Sequence, residues 1–259
     1  MHYCLLGEPS AQNAWPWMAL LHRQDTSGRL VGFCGGVLVN PHWVLTAAHC
    51  TNRFNVTMVR LGENDFTRND DGIHEDVGVA EVLFYPGYQP PKAYHDISLI
   101  RLARTVNLRR EVSPVCLPWG READLPLEHN IVTITGWGPT EFYGDPLSTY
   151  LNEIDVTVFP TDVCVKSYST VLDFAFDYPQ SLGEESLCIG DDSANEILKD
   201  SCPGDSGGPA VYLHNGRYIM VGIVSKGYGC GKRDFPGIYV NMQYREHLAW
   251  IKRVAFSNN

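Results

Sequence analysis

The sequence predicts an all-β protein. Runs rich in β-branched and aliphatic residues recur along the whole chain, and glycine and proline separate them. Only one segment repeats its apolar residues at helical spacing. Many strands at modest spacing suit barrels or a sandwich. The 259 residues are enough for one large β domain or two small ones. With 44% hydrophobic residues, a substantial core is within reach.

The β-rich runs, in chain order, are Gly36-Val37-Leu38-Val39, Asn55 to Leu61, Ile97 to Leu102, Ile131 to Thr135, Ile154 to Phe159 and Tyr218 to Val224. Tyr85-Pro86-Gly87-Tyr88, Gly136-Trp137-Gly138-Pro139 and Pro236-Gly237 punctuate them. Asn69-Asp70-Asp71-Gly72 and the stretch Ser181 to Asn195 are polar and read as exposed loops. Tyr244 to Arg253 places Tyr244, Leu248 and Ile251 on one face with Trp250 beside them, which predicts a terminal helix packed on the body. No repeat, low-complexity tract or interdomain linker interrupts the pattern.

A net charge of −10 weighs against nucleic acid, whose phosphates need a basic face. No run of about 18 apolar residues is present, so no membrane span is expected. Eight cysteines stand at wide, irregular spacings without the CxxC pairs of zinc sites. Disulfides in an oxidising compartment explain them better, and a secreted, extracellular protein is expected. The Asn55-Val56-Thr57 triplet, a glycosylation acceptor, fits that compartment. Met1-His2-Tyr3-Cys4 lacks the charged-then-apolar pattern of a signal peptide. The expectation is that any leader lies outside this sequence, or that the sequence is partial.

Three segments carry chemistry. Gly204-Asp205-Ser206-Gly207-Gly208-Pro209 sets a serine on a tight turn that can present its hydroxyl to a substrate. The plain alternative is a glycine-rich turn. Leu45-Thr46-Ala47-Ala48-His49-Cys50 places one of nine histidines in a small-residue turn pinned by a cysteine. Tyr94-His95-Asp96-Ile97 sets an aspartate at the mouth of an apolar strand. Alone, each has an ordinary structural explanation.

Together, these segments resemble the chymotrypsin–trypsin family of serine peptidases, with His49, Asp96 and Ser206 in the family's chain order. The likeness runs from Trp15-Pro16-Trp17 to Trp250-Ile251. It includes Cys34-Gly35-Gly36-Val37-Leu38, Thr135-Gly136-Trp137-Gly138 and Gly237-Ile238-Tyr239-Val240. Glu8-Pro9 leading into Ala14-Trp15-Pro16-Trp17-Met18 is similar to invertebrate clip-domain and clotting-type members.

The resemblance implies one peptidase domain of two six-stranded antiparallel β-barrels packed together with a short C-terminal helix. The N-terminal barrel spans about residues 14–120, the C-terminal barrel 121–240 and the helix 243–254. It implies Ser206 as nucleophile, His49 as its base and Asp96 as the group that orients His49. The amides of Gly204 and Ser206 form the implied oxyanion hole, where a donor contributes about 3–4 kcal/mol in the transition state. Ser225 supports Asp96. Asp200 floors a pocket walled by Gly227 and Gly237, which implies cleavage after Arg or Lys.

Lys226 departs from the family, where a tryptophan usually forms an apolar wall for residues upstream of the scissile bond. It either attracts acidic upstream residues or simply extends its ammonium into solvent. Pro203 also replaces a commoner polar residue at the pocket rim. Asp205 is the implied partner of an α-amine freed by activation. Counting back from Trp15, that activation site falls on Cys4-Leu5-Leu6-Gly7 with Tyr3 before it, so no basic residue precedes it. The mismatch reads as a junction error or as a chain that stays zymogen-like.

The family pattern further implies the bridges Cys34–Cys50, Cys164–Cys188 and Cys202–Cys230, with Cys4–Cys116 as a fourth candidate. No cofactor is required. The segment Glu63 to Glu75 resembles a calcium loop, with Glu63 and Glu75 as the leading ligands and Asp65 or Asp71 in support; an acidic solvated loop is the alternative. The implied partners are protein substrates, macromolecular inhibitors and an upstream activating peptidase. The rival function is a non-catalytic or zymogen-locked homologue that acts as a binding or cofactor protein.

Overall fold

The structure is a computed structural model that describes residues 8–67, 74–139, 147–195 and 198–257. Cys4, Asp71 and the expected activation segment lie outside the described residues.

The chain opens with a two-residue strand, β1 (Glu8–Pro9), and then builds two closed antiparallel barrels. Six strands form the first: β2 (Met18–Gln24), β3 (Leu30–Asn40), β4 (Trp43–Thr46), β5 (Met58–Leu61), β6 (Glu75–Phe84) and β7 (Ser98–Leu102). They close in the order β2-β3-β4-β7-β6-β5. Between β4 and β5 lies the one-and-a-half-turn helix α1 (Ala48–Arg53).

A 3₁₀ turn, Gly120–Asp124, leads into the second half. Its strands are β8 (Ile131–Gly136), β9 (Asn152–Phe159), β10 (Ser186–Gly190), β11 (Pro209–His214), β12 (Arg217–Lys226) and β13 (Gly237–Asn241). They run β9-β10-β13-β12-β11-β8, and β8 pairs with β9 to close the ring. β1 adds to the outside of β9, pairing Glu8 with Glu153, and so ties the start of the described chain to the second barrel. Two short helices, α2 (Thr161–Tyr168) and α3 (Leu172–Asp177), lie between β9 and β10. Helix α4 (Arg245–Ala255) ends the fold.

Most strands carry continuous buried runs, as in Met18–Gln24 and Arg217–Lys226, and β10 corrects an expectation. Its five residues fall within the stretch read as an exposed loop, yet all are buried. Leu187 and Ile189 enter the second barrel's core, and Cys188 is bonded to Cys164 of α2. Both neighbouring strands cover it, so it shows no polar face to reveal it.

Helix α4 buries His247, Leu248, Trp250 and Ile251 against the larger core. Burial of a Leu or Ile stabilises by about 1.5–3 kcal/mol. Lys252 and Arg253 in its last turn complement the helix dipole.

Candidate active site

The cleft between the barrels has a volume of about 640 Å³ and takes its lining from both. His49 and Asp96 come from the first barrel, Ser206 and Ser225 from the second.

His49 sits in the first turn of α1. Ala47 precedes that helix and has no side chain able to cap it. The Asp96 Oδ1 does so instead, accepting the His49 main-chain N–H at 2.7 Å. The Cys34–Cys50 disulfide and a Thr46 Oγ1 hydrogen bond to the Gly35 carbonyl anchor the turn to β3.

Asp96 precedes β7, after His95, whose φ of 52° turns the chain. Its Oδ2 faces the His49 Nδ1 at 2.7 Å and accepts the Ser225 hydroxyl at 2.6 Å. Burial opposes ionisation of Asp96. The charge of His49 and the hydrogen bonds from His49 and Ser225 outweigh it and hold the carboxyl below the usual aspartate range. With Nδ1 committed to Asp96, Nε2 is the ring nitrogen left for Ser206. No Ser206 Oγ–His49 Nε2 hydrogen bond is formed, and such contacts commonly tighten only on substrate.

The Ser206 turn is stitched to both barrels. Its carbonyl accepts the Gly35 amide at 2.8 Å, and Gly207 donates to the Val224 carbonyl at 2.8 Å. Gly204 takes a φ of 109°, a conformation that favours glycine. Asp205 is buried, with its carboxylate accepting the amides of Gly138 (2.7 Å) and Cys202 (2.8 Å). Burial pushes this carboxyl up to about 6 despite those two bonds.

The expected specificity residues divide. Gly227 lines the cleft, but Asp200 and Gly237 do not. Asp200 lines a separate void of about 10 Å³ with Gly231, Lys232 and Phe235, too small for an arginine side chain. Its Oδ2 accepts the Gly231 amide at 2.9 Å, which draws the Gly229–Gly231 turn over it. Burial raises this carboxyl to about 7. A Cβ on Gly237 would meet the Tyr239 ring at 2.8 Å, so this glycine makes room for a core tyrosine.

One expected bridge is not formed, and the calcium candidates already have partners. Cys34–Cys50 and Cys164–Cys188 are bonded, but Cys202 and Cys230 are not bonded to each other. Both are buried in the second core, where the Asp200–Gly231 bond fixes the same turn. Cys116 is exposed, and its candidate partner Cys4 lies outside the described residues. Arginines surround the calcium candidates: Arg104 and Arg109 hold Glu75, and Arg60 reaches Glu63 at 3.3 Å. The only group with metal-ligand spacing among the described residues is Cys34, His49 and Cys50, and both of its sulfurs are in a disulfide. Asn55 is exposed, as a glycosylation acceptor must be.

Lys226 had no partner legible in the sequence. In the structure its ammonium pairs with Asp177 at the end of α3.

Known proteins resemble the chain over nearly its full length. The family model described as Trypsin matches residues 5–251. Phenoloxidase-activating factor 3 of Holotrichia diomphalia is 35% identical, over 95% of this chain and 71% of its own length. The Clotting factor G beta subunit of Tachypleus tridentatus is 32% identical, over 98% and 80%. CLIP domain-containing serine protease B15 of Anopheles gambiae is 33% identical, over 96% and 69%. The two barrels, the shared cleft and these matches place the chain in the trypsin family of serine peptidases.

Proposed function

We propose that this protein is a secreted serine endopeptidase that cleaves after Arg or Lys through an acyl-enzyme. The observation that carries this reading is the triple hold on Asp96 by the His49 amide, the His49 ring and the Ser225 hydroxyl. That hold is useful to a histidine that must take a proton at Nε2 and stay oriented while charged. His49 takes the Ser206 proton as Oγ attacks the scissile carbonyl, and then gives it to the leaving amine. The Gly204 and Ser206 amides receive the developing oxyanion. Asp200 selects a cationic side chain once the Gly229–Gly231 turn opens. Protein substrates, an upstream activating peptidase and macromolecular inhibitors are the partners of such an enzyme.

A second reading is a zymogen-locked chain that acts by binding. It is favoured by the withdrawal of Asp200 from the cleft and by a buried Asp205 whose partners among the described residues are two amides.

One experiment separates the two readings. The protein is assayed on Arg, Lys and Phe peptide substrates beside Ser206→Ala. A form carrying Tyr3→Arg, Cys4→Ile, Leu5→Val and Leu6→Gly, cleaved after residue 3, is run in parallel. Turnover after Arg or Lys that vanishes in Ser206→Ala is expected, at the latest in the processed form. No serine-dependent turnover in either form supports the binding reading. Preference for Phe overturns the role given to Asp200.

A further inference from the structure

We infer that Lys226 is a specificity-determining residue that selects substrates with an Asp or Glu upstream of the scissile bond. The inference rests on the peptidase reading above and deepens it. Lys226 ends β12 directly after Ser225, so it borders the cleft one residue from the group that holds Asp96.

The ion pair with Asp177 leaves the lysine available. The Asp177 side chain is 13% exposed, whereas that of Lys226 is 39% exposed. An ammonium has three N–H donors, and Asp177 is its one hydrogen-bond partner among the described residues. The remaining donors can meet a second carboxylate, with Asp177 serving to aim the chain.

Asp177 is itself fixed from the opposite rim. Its carbonyl accepts the Ala93 amide at 3.0 Å, and Tyr94 bonds to Gln180 and Ser181 just beyond α3. Lys226 is therefore held against a wall that spans both barrels rather than swinging free.

The charge around it has the matching sign. Arg53 and Lys92 also line the cleft, both are exposed, and neither forms an ion pair among the described residues. Among the described residues that line the cleft, the acids facing these three cations are Asp177 and Asp96, and Asp96 is buried and bound by His49 and Ser225. The chain as a whole carries a charge of −10. A cleft with an excess of cations on a chain of negative net charge favours an acidic peptide there, an arrangement that sets register and partner choice.

The test uses matched peptides that end in Arg before the scissile bond and differ only in Glu or Gln at upstream positions. Turnover by the active protein and binding to Ser206→Ala are both measured. The Glu peptide is expected to win by about two- to five-fold at low salt, as exposed ion pairs allow, and to lose that lead at high salt. Lys226→Gln is expected to bring the ratio close to one, and Asp177→Asn to raise it. A ratio near one in the unaltered protein, or a ratio that survives Lys226→Gln, overturns the inference. Glu preference in Ser206→Ala binding without turnover in the active form would sink the peptidase reading and overturn substrate selection with it, leaving Lys226 a preference for acidic ligands in binding alone.

Discussion

The Gly138 amide donates to Oδ1 of Asp205 at 2.7 Å, and a Cβ on Gly138 would stand 2.3 Å from Oδ2 of the same carboxylate. Gly136 is as close: its Cβ would fall 2.0 Å from Oδ1. The Gly136-Trp137-Gly138 segment is therefore a cradle cut to the shape of the acid beside Ser206. Gly138→Ala is expected to destabilise by about 1–3 kcal/mol, the usual cost of overpacking, and to reduce turnover by displacing Asp205 and Ser206. Gly78→Ala is the control, because its Cβ would meet Ala103 at an ordinary 3.6 Å. Urea unfolding of both variants checks the contrast. Equal stability would show that Asp205 can move without cost.

Ser225 spends its hydroxyl on Asp96 at 2.6 Å. A hydrogen bond to a charged group contributes about 1.5–3 kcal/mol. In Ser225→Ala, Asp96 keeps both bonds to His49 but loses one that favours its ionised form. We expect kcat/KM to fall by roughly tenfold and KM to change little, because this bond orients the base rather than binding substrate. A variant with unchanged kcat and a raised KM would assign Ser225 to binding instead.

Calcium added to the protein is expected to leave Tm unchanged, with and without chelator. Burial raises the Glu75 carboxyl, but its bonds to Arg109 and Arg104 outweigh that and leave it below the usual range. An incoming cation would have to displace two guanidinium groups that already supply the compensating charge. A rise in Tm on calcium addition would show that the arginines yield the carboxylate to the ion.

Why some of this was legible in sequence and some was not follows from distance. His49, Asp96 and Ser206 each sit in a local motif whose residue types the chemistry dictates, so their meeting in one cleft could be anticipated. Strands rich in β-branched and aliphatic residues, such as Ser98–Leu102 and Ile131–Gly136, could be anticipated too. β10 could not, since Ser186–Gly190 is covered on every side and flanked by polar turns. The partner of Lys226 lies 49 residues away on a short helix that no periodicity announced. The position of Asp200 depends on how the Gly229–Gly231 turn folds over it, and their bond joins residues 31 apart in the chain. Motifs specify what a site needs; the loops that open or shut it are set by contacts between distant segments.

That closure makes its own prediction. Burial raises Asp200 from an ordinary 3.8 to about 7, so the folded state prefers the protonated acid. Its contribution to stability is therefore complete below about pH 4 and is lost as pH rises through about 7. A shift of about three pH units corresponds to roughly 4 kcal/mol at most. Asp200→Asn removes the charge and keeps an oxygen for the Gly231 amide. It is expected to match the unaltered protein in Tm near pH 4 and to exceed it near pH 8. Asp205, also raised by burial, adds a smaller slope of the same sign in both proteins, so the difference between them isolates Asp200. A small amidinium ligand should stabilise the unaltered protein near pH 8, because its cation offsets the buried charge, and should leave Asp200→Asn unmoved. Equal stabilisation of the two would mean that the cation binds elsewhere and that Asp200 stays shut away from the cleft.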